Sequence, residues 1–303
     1  MTTRTAFWQA TLDKQMPSDT APSRGIPRLL HQIYFPGMSQ LPTQVISGID
    51  ILRGLNPDWD YRFYDQQAGE AFVGEVYGAD ILAVYRKIDP EYYAARADLL
   101  RYLLCYARGG VYLDIKSVAR RPLSEVLRAE DAFILSQWDD LKHLSPNKAV
   151  HHPAAHAELR HIKGYEYVQW FVVAAPRHPF LKAVIASVLS GIDQYNVFSQ
   201  GVGRMGVLRL TGPIAYTLAI DPLRGSAPYR MAAFEDELGF EFSVYGDHKQ
   251  HRSAFGTHYS QKTLPVVKSN YATTQAARAW FGLVHPYLDR VKQIVQPKRK
   301  KAP

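Results

Sequence analysis

A chain of 303 residues with 47% apolar content can bury one large core or two small ones, which excludes a globally disordered protein. Its 36 Lys and Arg against 28 Asp and Glu leave a net charge of +8; that balance suits nucleotides, polyanions or anionic membrane surfaces and selects none of them. Cys105 is the single cysteine and cannot form an internal disulfide, no apolar run reaches about 18 residues, and the N-terminus lacks a signal-like apolar stretch, so a cytoplasmic chain without a membrane span is expected.

Residues 1–24 are polar and run into PSDTAPSRG, a lead-in to a core that starts at residue 25. LLHQIYF, bounded by Pro27 and Pro36, predicts a buried first strand. Val45, Ile46, Ile49, Leu52 and Leu55 recur at helical spacing within residues 42–55. DYRFYD alternates and predicts a second strand ending at Asp65, followed by two short helices around 68–77 and 79–87. Residues 91–108 give the strongest helix: Ala, Leu, Arg and Tyr dominate, no Gly or Pro interrupts, and Gly109-Gly110 close it. Cys105, in the apolar LLCYA of this helix, reads as a small core residue.

VYLDI, AFILSQ and YVQWFVVAA predict three further strands, and HPFLKAVIASVLSGI a helix that starts at its proline. Alternating strands and helices predict a layered α/β fold. The polar, His-rich stretch 139–163 reads as a long loop. Residues 271–303 read as a C-terminal helix with the basic tail Lys298, Arg299, Lys300 and Lys301, a candidate for peripheral contact with an anionic membrane surface.

Chemistry concentrates in ARADLLRYLLCYARGGVYLDIKS, residues 95–117. Asp98 and Arg101 are three apart on a helix and share a face. The following strand delivers Asp114 at its carboxyl end, where open α/β sheets bind ligands. With the Gly109-Gly110 turn and Tyr112, these residues suit a sugar diphosphate: carboxylates accept from hydroxyls, and arginine pairs with phosphate.

The same residues resemble the glycosyltransferase family with a DXD motif in its sugar-binding region, which includes bacterial capsular-polysaccharide glycosyltransferases and fungal α-1,6-mannosyltransferases. Ile26-Pro27 with His31-Gln32-Ile33-Tyr34, Asn56-Pro57, Tyr64-Asp65, Ala97-Asp98, Arg101-Tyr102, Gly109-Gly110, Tyr112 and Asp114 follow the family order, as do APRHPFL at 175–181 and TGP at 211–213. The resemblance runs collinearly over residues 26–220. It implies an α/β, GT-A-like (Rossmann-like) single domain over 25–270 and a UDP- or GDP-sugar donor. It further implies a saccharide or lipid-linked glycan acceptor, retention of anomeric configuration, and a place in surface polysaccharide or glycan synthesis. By the same resemblance Asp98 and Arg101 hold the donor sugar and phosphate, Asp114 contacts ribose and sugar, Tyr34 sits by the base, and His258 stands near a family histidine.

In that family the second acid of the DXD motif helps bind Mn²⁺ or Mg²⁺, and here it is Lys116. An ammonium cannot ligate a metal, yet it can neutralise a diphosphate. If residues 114–116 continue the strand, Asp114 and Lys116 share a face and Lys116 replaces part of the metal's role. The alternative keeps the cation on Asp114, the diphosphate and another carboxylate such as Asp139 or Asp247.

Asp139 and Asp140, after a strand, and Glu166 and Gln169, around VQWFVV, are further candidate site elements. His151, His152, His156 and His161 lack the companion cysteines or HExxH spacing of a zinc site. A nucleic-acid-binding protein finds no helix-turn-helix, RNP or zinc-finger signature, and a nucleotidyltransferase finds no Gly-rich phosphate loop at the first strand. A catalytically inactive nucleotide-sugar-binding domain is the remaining alternative, favoured by Lys116.

Overall fold

Short apolar strands and longer helices assemble, in a computed structural model, into one mixed sheet with helices packed on it. The structure describes residues 2–16, 25–138, 157–245 and 262–284. The chain begins with helix α1 (Thr3–Gln15), strand β1 (Leu29–Ile33), helix α2 (Thr43–Leu55), strand β2 (Asp60–Tyr64) and helices α3 (Gln66–Tyr85) and α4 (Tyr93–Arg108). Strands β3 (Gly110–Leu113) and β4 (Val118–Ala119), helix α5 (Leu123–Val126) and strands β5 (Phe133–Leu135) and β6 (Phe171–Ala174) follow. Helices α6 (Pro179–Asp193), α7 (Val197–Gln200), α8 (Gly203–Leu210) and α9 (Pro213–Ile220), strands β7 (Arg230–Met231) and β8 (Phe240–Glu241) and helix α10 (Tyr271–Ala279) complete the described chain.

Six strands pair in the order β2-β1-β3-β6-β5-β7 among the described residues, and β4 pairs with β8 in a separate two-stranded ribbon. β2, β1 and β3 are mutually parallel, β6 runs against both β3 and β5, and β7 is parallel to β5. The fold is therefore α/β with a parallel-rich mixed sheet, the GT-A-like arrangement expected. His31 pairs with Tyr112, so the carboxyl ends of β1 and β3 emerge together.

Strand alternation feeds two cores. Tyr112, Val172, Ala174, Phe133 and Leu135 face one cluster with α3, α4 and α6. Val111, Leu113, Phe171, Val173 and Ile134 face the other, with Trp170, Phe234 and Phe240. Burial on both faces explains why these strands read as continuous apolar runs.

The polar residues inside β1 are satisfied. Neutral His31 donates from Nε2 to the Gly109 carbonyl (2.9 Å) and accepts the Tyr64 hydroxyl at Nδ1 (3.3 Å). Burial pushes its pKa down to about 4. Gln32 accepts from Tyr61 (2.9 Å) and reaches the Asp114 carbonyl at 3.4 Å, tying the end of β3 to β1.

Three expectations change. The polar lead-in contains α1, whose Trp8 and Leu12 are buried in the first core. Its Trp8 indole and Arg4 donate to Asp193 at the end of α6. The two helices after β2 form one span broken at Gly78, where φ is 77°. YVQWFVVAA contributes only Phe171–Ala174 to the ladder; upstream, Tyr167 makes an isolated bridge to Gln137.

Candidate functional site

α4 lies against β3 and the stretch before β6, and its inner face carries Asp98 and Arg101. Both are buried, at 3% and 4% exposure. Arg101 donates to Asp98 Oδ1 (2.8 Å) and to the Gln169 carbonyl (2.7 Å), and its Nη1 lies 3.1 Å from Asp114 Oδ1. The guanidinium also stacks over Tyr112, 4.8 Å from the ring centre. Asp98 takes two more bonds, from Thr211 Oγ1 to Oδ2 (2.8 Å) and from Gln169 Nε2 to Oδ1 (3.3 Å).

Burial raises the Asp98 pKa, with Arg101 and Thr211 opposing the rise. Burial also works against the Arg101 charge, yet Asp114, Tyr112 and Asp98 carry its pKa above the usual value. Removing one partner from such a pair costs about 3–5 kcal/mol, so the pair is a rigid support.

Asp114 follows β3, its backbone N–H held by the Trp170 carbonyl (2.9 Å). The Tyr112 hydroxyl donates to Asp114 Oδ1 (2.9 Å). The Asp114 side chain remains 20% exposed. Asp98 and Arg101, for which the resemblance implies direct donor contact, are enclosed by protein partners; Arg101 bears on the partly exposed Asp114, and Asp98 holds Arg101. Tyr112 is likewise committed to Asp114.

Lys116 meets Asp114 through a turn, correcting the strand-continuation reading. The Ser117 N–H bonds the Asp114 carbonyl (2.8 Å), and the turn sets Lys116 Nζ 3.8 Å from Asp114 Oδ2. The ammonium sits 3.9 Å from the centre of the Phe242 ring, a contact worth about 2 kcal/mol when desolvated. Burial pulls the Lys116 pKa down to about 8, with Asp114 opposing and Arg101 assisting. Its side chain is 15% exposed, so Lys116 reaches solvent, as do Asp114 and the half-buried Gln169.

Gly109 and Gly110 do not join this group, another correction. Gly109 caps α4 and Gly110 starts β3, at the opposite end of the strand from Asp114, and both are buried. A Cβ on Gly110 (φ +99°) would lie 2.5 Å from the Leu29 carbonyl oxygen. The pair serves the turn from α4 into β3.

Tyr34 continues β1 at the same edge as Asp114. It is half-buried against Leu41, Val45, Ile49 and Tyr245, and its N–H bonds the Tyr64 carbonyl. Glu166 is buried and accepts from Trp138 Nε1 (3.2 Å), and burial pushes its pKa up to about 7. His258, Asp139, Asp140, Asp247, His151, His152, His156 and the basic tail lie outside the described residues.

The sequence reading missed Thr211 as the partner of Asp98 and Phe242 as the seat of Lys116. TGP at 211–213 was the available signal for the first; nothing local marks the second. Among the described residues no group of three His, Cys, Asp or Glu is placed to hold a metal ion. Two positive charges already flank Asp114. A divalent ion about 4 Å from the ammonium would meet a repulsion of roughly 8 kcal/mol at an effective dielectric of 20. The described donor set does not fit a bound divalent cation.

Residues 42–134 match the family described as the glycosyltransferase sugar-binding region containing DXD motif, and over that segment the chain is similar to it. Its DXD position reads Asp114-Ile115-Lys116. The chain is similar to the mannosyl phosphorylinositol ceramide synthase CSH1 of Saccharomyces cerevisiae, 22% identical over 201 residues, covering 65% of this chain and 50% of that protein. It is also similar to the initiation-specific alpha-1,6-mannosyltransferase of Candida albicans, 25% identical over 181 residues, covering 58% of this chain and 46% of that protein. The chain thus spans about half the length of these relatives. The solved structure of PaToxG glycosyltransferase aligns with 93% of this chain and 92% of its own at 13% identity and a TM-score of 0.48.

Proposed function

We propose that this protein is a glycosyltransferase that moves a hexosyl group from a UDP- or GDP-sugar to a saccharide or lipid-linked glycan acceptor, with retention. The observation that carries the reading is the Asp98–Arg101–Asp114 network at the common carboxyl edge of β1 and β3. Asp114, held by Tyr112 and Arg101, accepts from donor hydroxyls. Asp98 and Arg101 are positioning residues that fix its orientation, and Tyr34 stacks the base at the end of β1. A preorganised carboxylate stays aligned as the glycosidic bond breaks, which is where fixed dipoles and charges favour the transition state. The similarity to two mannosyltransferring proteins makes mannose the first sugar to try.

A panel of UDP- and GDP-sugars ranked by thermal shift tests the donor. Binding at 100 times Kd adds about 2.7 kcal/mol to stability. Transfer to saccharide acceptors, with donor hydrolysis as the fallback readout, then tests the chemistry. No shift with any donor would sink the reading; a shift without turnover would favour a binding-only domain, the alternative that Lys116 raises. No helix among the described residues is long and apolar enough to cross a membrane. Peripheral contact through the C-terminal helix and basic tail of a cytoplasmic enzyme belongs to the same proposal, and liposome flotation with and without residues 296–303 checks it.

A further inference from the structure

We infer that the donor diphosphate is neutralised here by the Lys116 ammonium in place of a divalent cation, and that Phe242 is the positioning residue that seats it. The inference rests on the nucleotide-sugar reading above and deepens it.

Four observations converge. First, the Asp114 carboxylate is already occupied by positive or donating groups: the Tyr112 hydroxyl at 2.9 Å and Arg101 Nη1 at 3.1 Å on Oδ1, and Lys116 Nζ at 3.8 Å from Oδ2. Oδ1 is thus taken, and Oδ2, with the ammonium beyond hydrogen-bond reach, offers a hard divalent ion one oxygen against the several it needs at close range. Second, the described residues contain no cluster of acids to make up the number. Third, Lys116 stands where the family's second acid stands, so the position that would supply a ligand supplies a charge.

Fourth, the ammonium has a built seat. β8 pairs with β4, Glu241 opposite Val118 and Phe240 opposite Ala119. The pairing continues past the ribbon: Ser117 Oγ donates to the Phe242 carbonyl (2.8 Å), and the Val244 N–H donates to the Lys116 carbonyl (2.8 Å). These bonds hold the Phe242 ring under the ammonium at 3.9 Å. The edge-on rings of Trp138 and Trp170, each 5.6 Å from Phe242, fix the plane of that ring. A solvated surface lysine needs no such support.

The leaving nucleoside diphosphate gains negative charge as its bond to the anomeric carbon breaks. Lys116 meets that charge as a point cation, as a lysine does in phosphate sites generally, and Asp114 keeps the ammonium from leaving the seat.

Calorimetric titration of the full chain with GDP and UDP, in excess EDTA and again in Mn²⁺, tests this. The expected result is a Kd that agrees within about threefold between the two conditions. Lys116→Met should weaken binding about 30-fold in both, the loss typical of truncating one member of a close charge pair. Lys116→Asp, which restores the second acid, should bind only with Mn²⁺. Phe242→Leu should weaken nucleotide binding about fivefold and lower kcat as well as raise the donor KM, because the charge that Lys116 meets grows in the transition state, and Phe242→Trp should restore both. Circular dichroism verifies that each variant is folded, and the Met variant decides if the Asp variant is not. Wild-type binding that vanishes in EDTA and returns with Mn²⁺ would overturn the inference alone. Lys116→Met binding equal to wild type would do the same. Failure of both nucleotides under both conditions would overturn the donor reading as well.

Discussion

Replacing Arg101 with methionine removes the guanidinium and keeps most of the aliphatic volume, so it isolates the buried charge network. In the wild type the side chain serves Asp98 at 2.8 Å, the Gln169 carbonyl at 2.7 Å and Asp114 at 3.1 Å. After substitution Asp98 is left buried with only Thr211 and Gln169. Losing one partner of a buried ion pair costs about 3–5 kcal/mol, and the stranded carbonyl lies within that cost because the network acts as a unit. Asp98 already has a pKa raised by burial, and without Arg101 it rises further. A folded pKa above the unfolded value means stability that is present below the unfolded pKa and lost as pH rises through the folded one. Arg101→Met is therefore predicted to be closest to wild type in acid and furthest from it near pH 8. The double variant Asp98→Asn with Arg101→Met leaves no charge to strand and should recover most of the loss. Urea unfolding at pH 5 and pH 8, read from midpoints at constant slope, measures all of this. A single-variant loss below about 1 kcal/mol at pH 8, or a double variant no better than the single one, would refute the buried-pair argument.

Asp114→Asn should lower donor turnover about 10²–10³-fold while the protein stays folded, because the main loss falls on a transition-state contact; steady-state kinetics beside circular dichroism checks both. His31 is neutral in the fold with a pKa near 4, against about 6.5 unfolded, so its contribution of roughly 3 kcal/mol is fully present above pH 6.5 and is lost as pH falls through 4. His31→Gln, which can still donate to Gly109, should flatten that part of the stability profile in urea titrations from pH 4 to 7. Gly110→Ala should destabilise the protein by about 2–5 kcal/mol, from positive-φ strain together with the clash against Leu29, and a melt that does not move would contradict the tight turn.

Most of the sheet was legible because its strands are local events. β1, β2 and β3 are short apolar or alternating runs between turn residues, and α4 announces itself by composition and by Gly109-Gly110. α1 escaped because only Trp8 and Leu12 of its residues are buried, too few to write a helical stripe on a polar sequence. The ribbon of β4 and β8 escaped for a different reason: two residues per strand cannot display a period of two. What creates that ribbon is the pairing of distant backbone segments, and pairing leaves no mark on either segment alone.

The site divides along the same line. Asp98 and Arg101 share a helical face at i and i+3, and Asp114 stands at a strand end, so local geometry was enough to bring them together. It was not enough to say which of them meets solvent. Thr211 closes on Asp98 across 113 positions and Gln169 across 71, and these distant partners turn the helix pair into a buried support. Lys116 shows the limit most clearly. Its neighbour Asp114 was visible two positions away, although a turn and not a continuing strand joins them. Whether a lysine there is a solvated charge or a fixed one depends on Phe242, brought in by bonds that span 125 positions from Ser117. A substitution at a motif position states only that a ligand has been exchanged for a charge. The aromatic seat under that charge, held by the β4–β8 ribbon, gives the exchange a place in the chemistry.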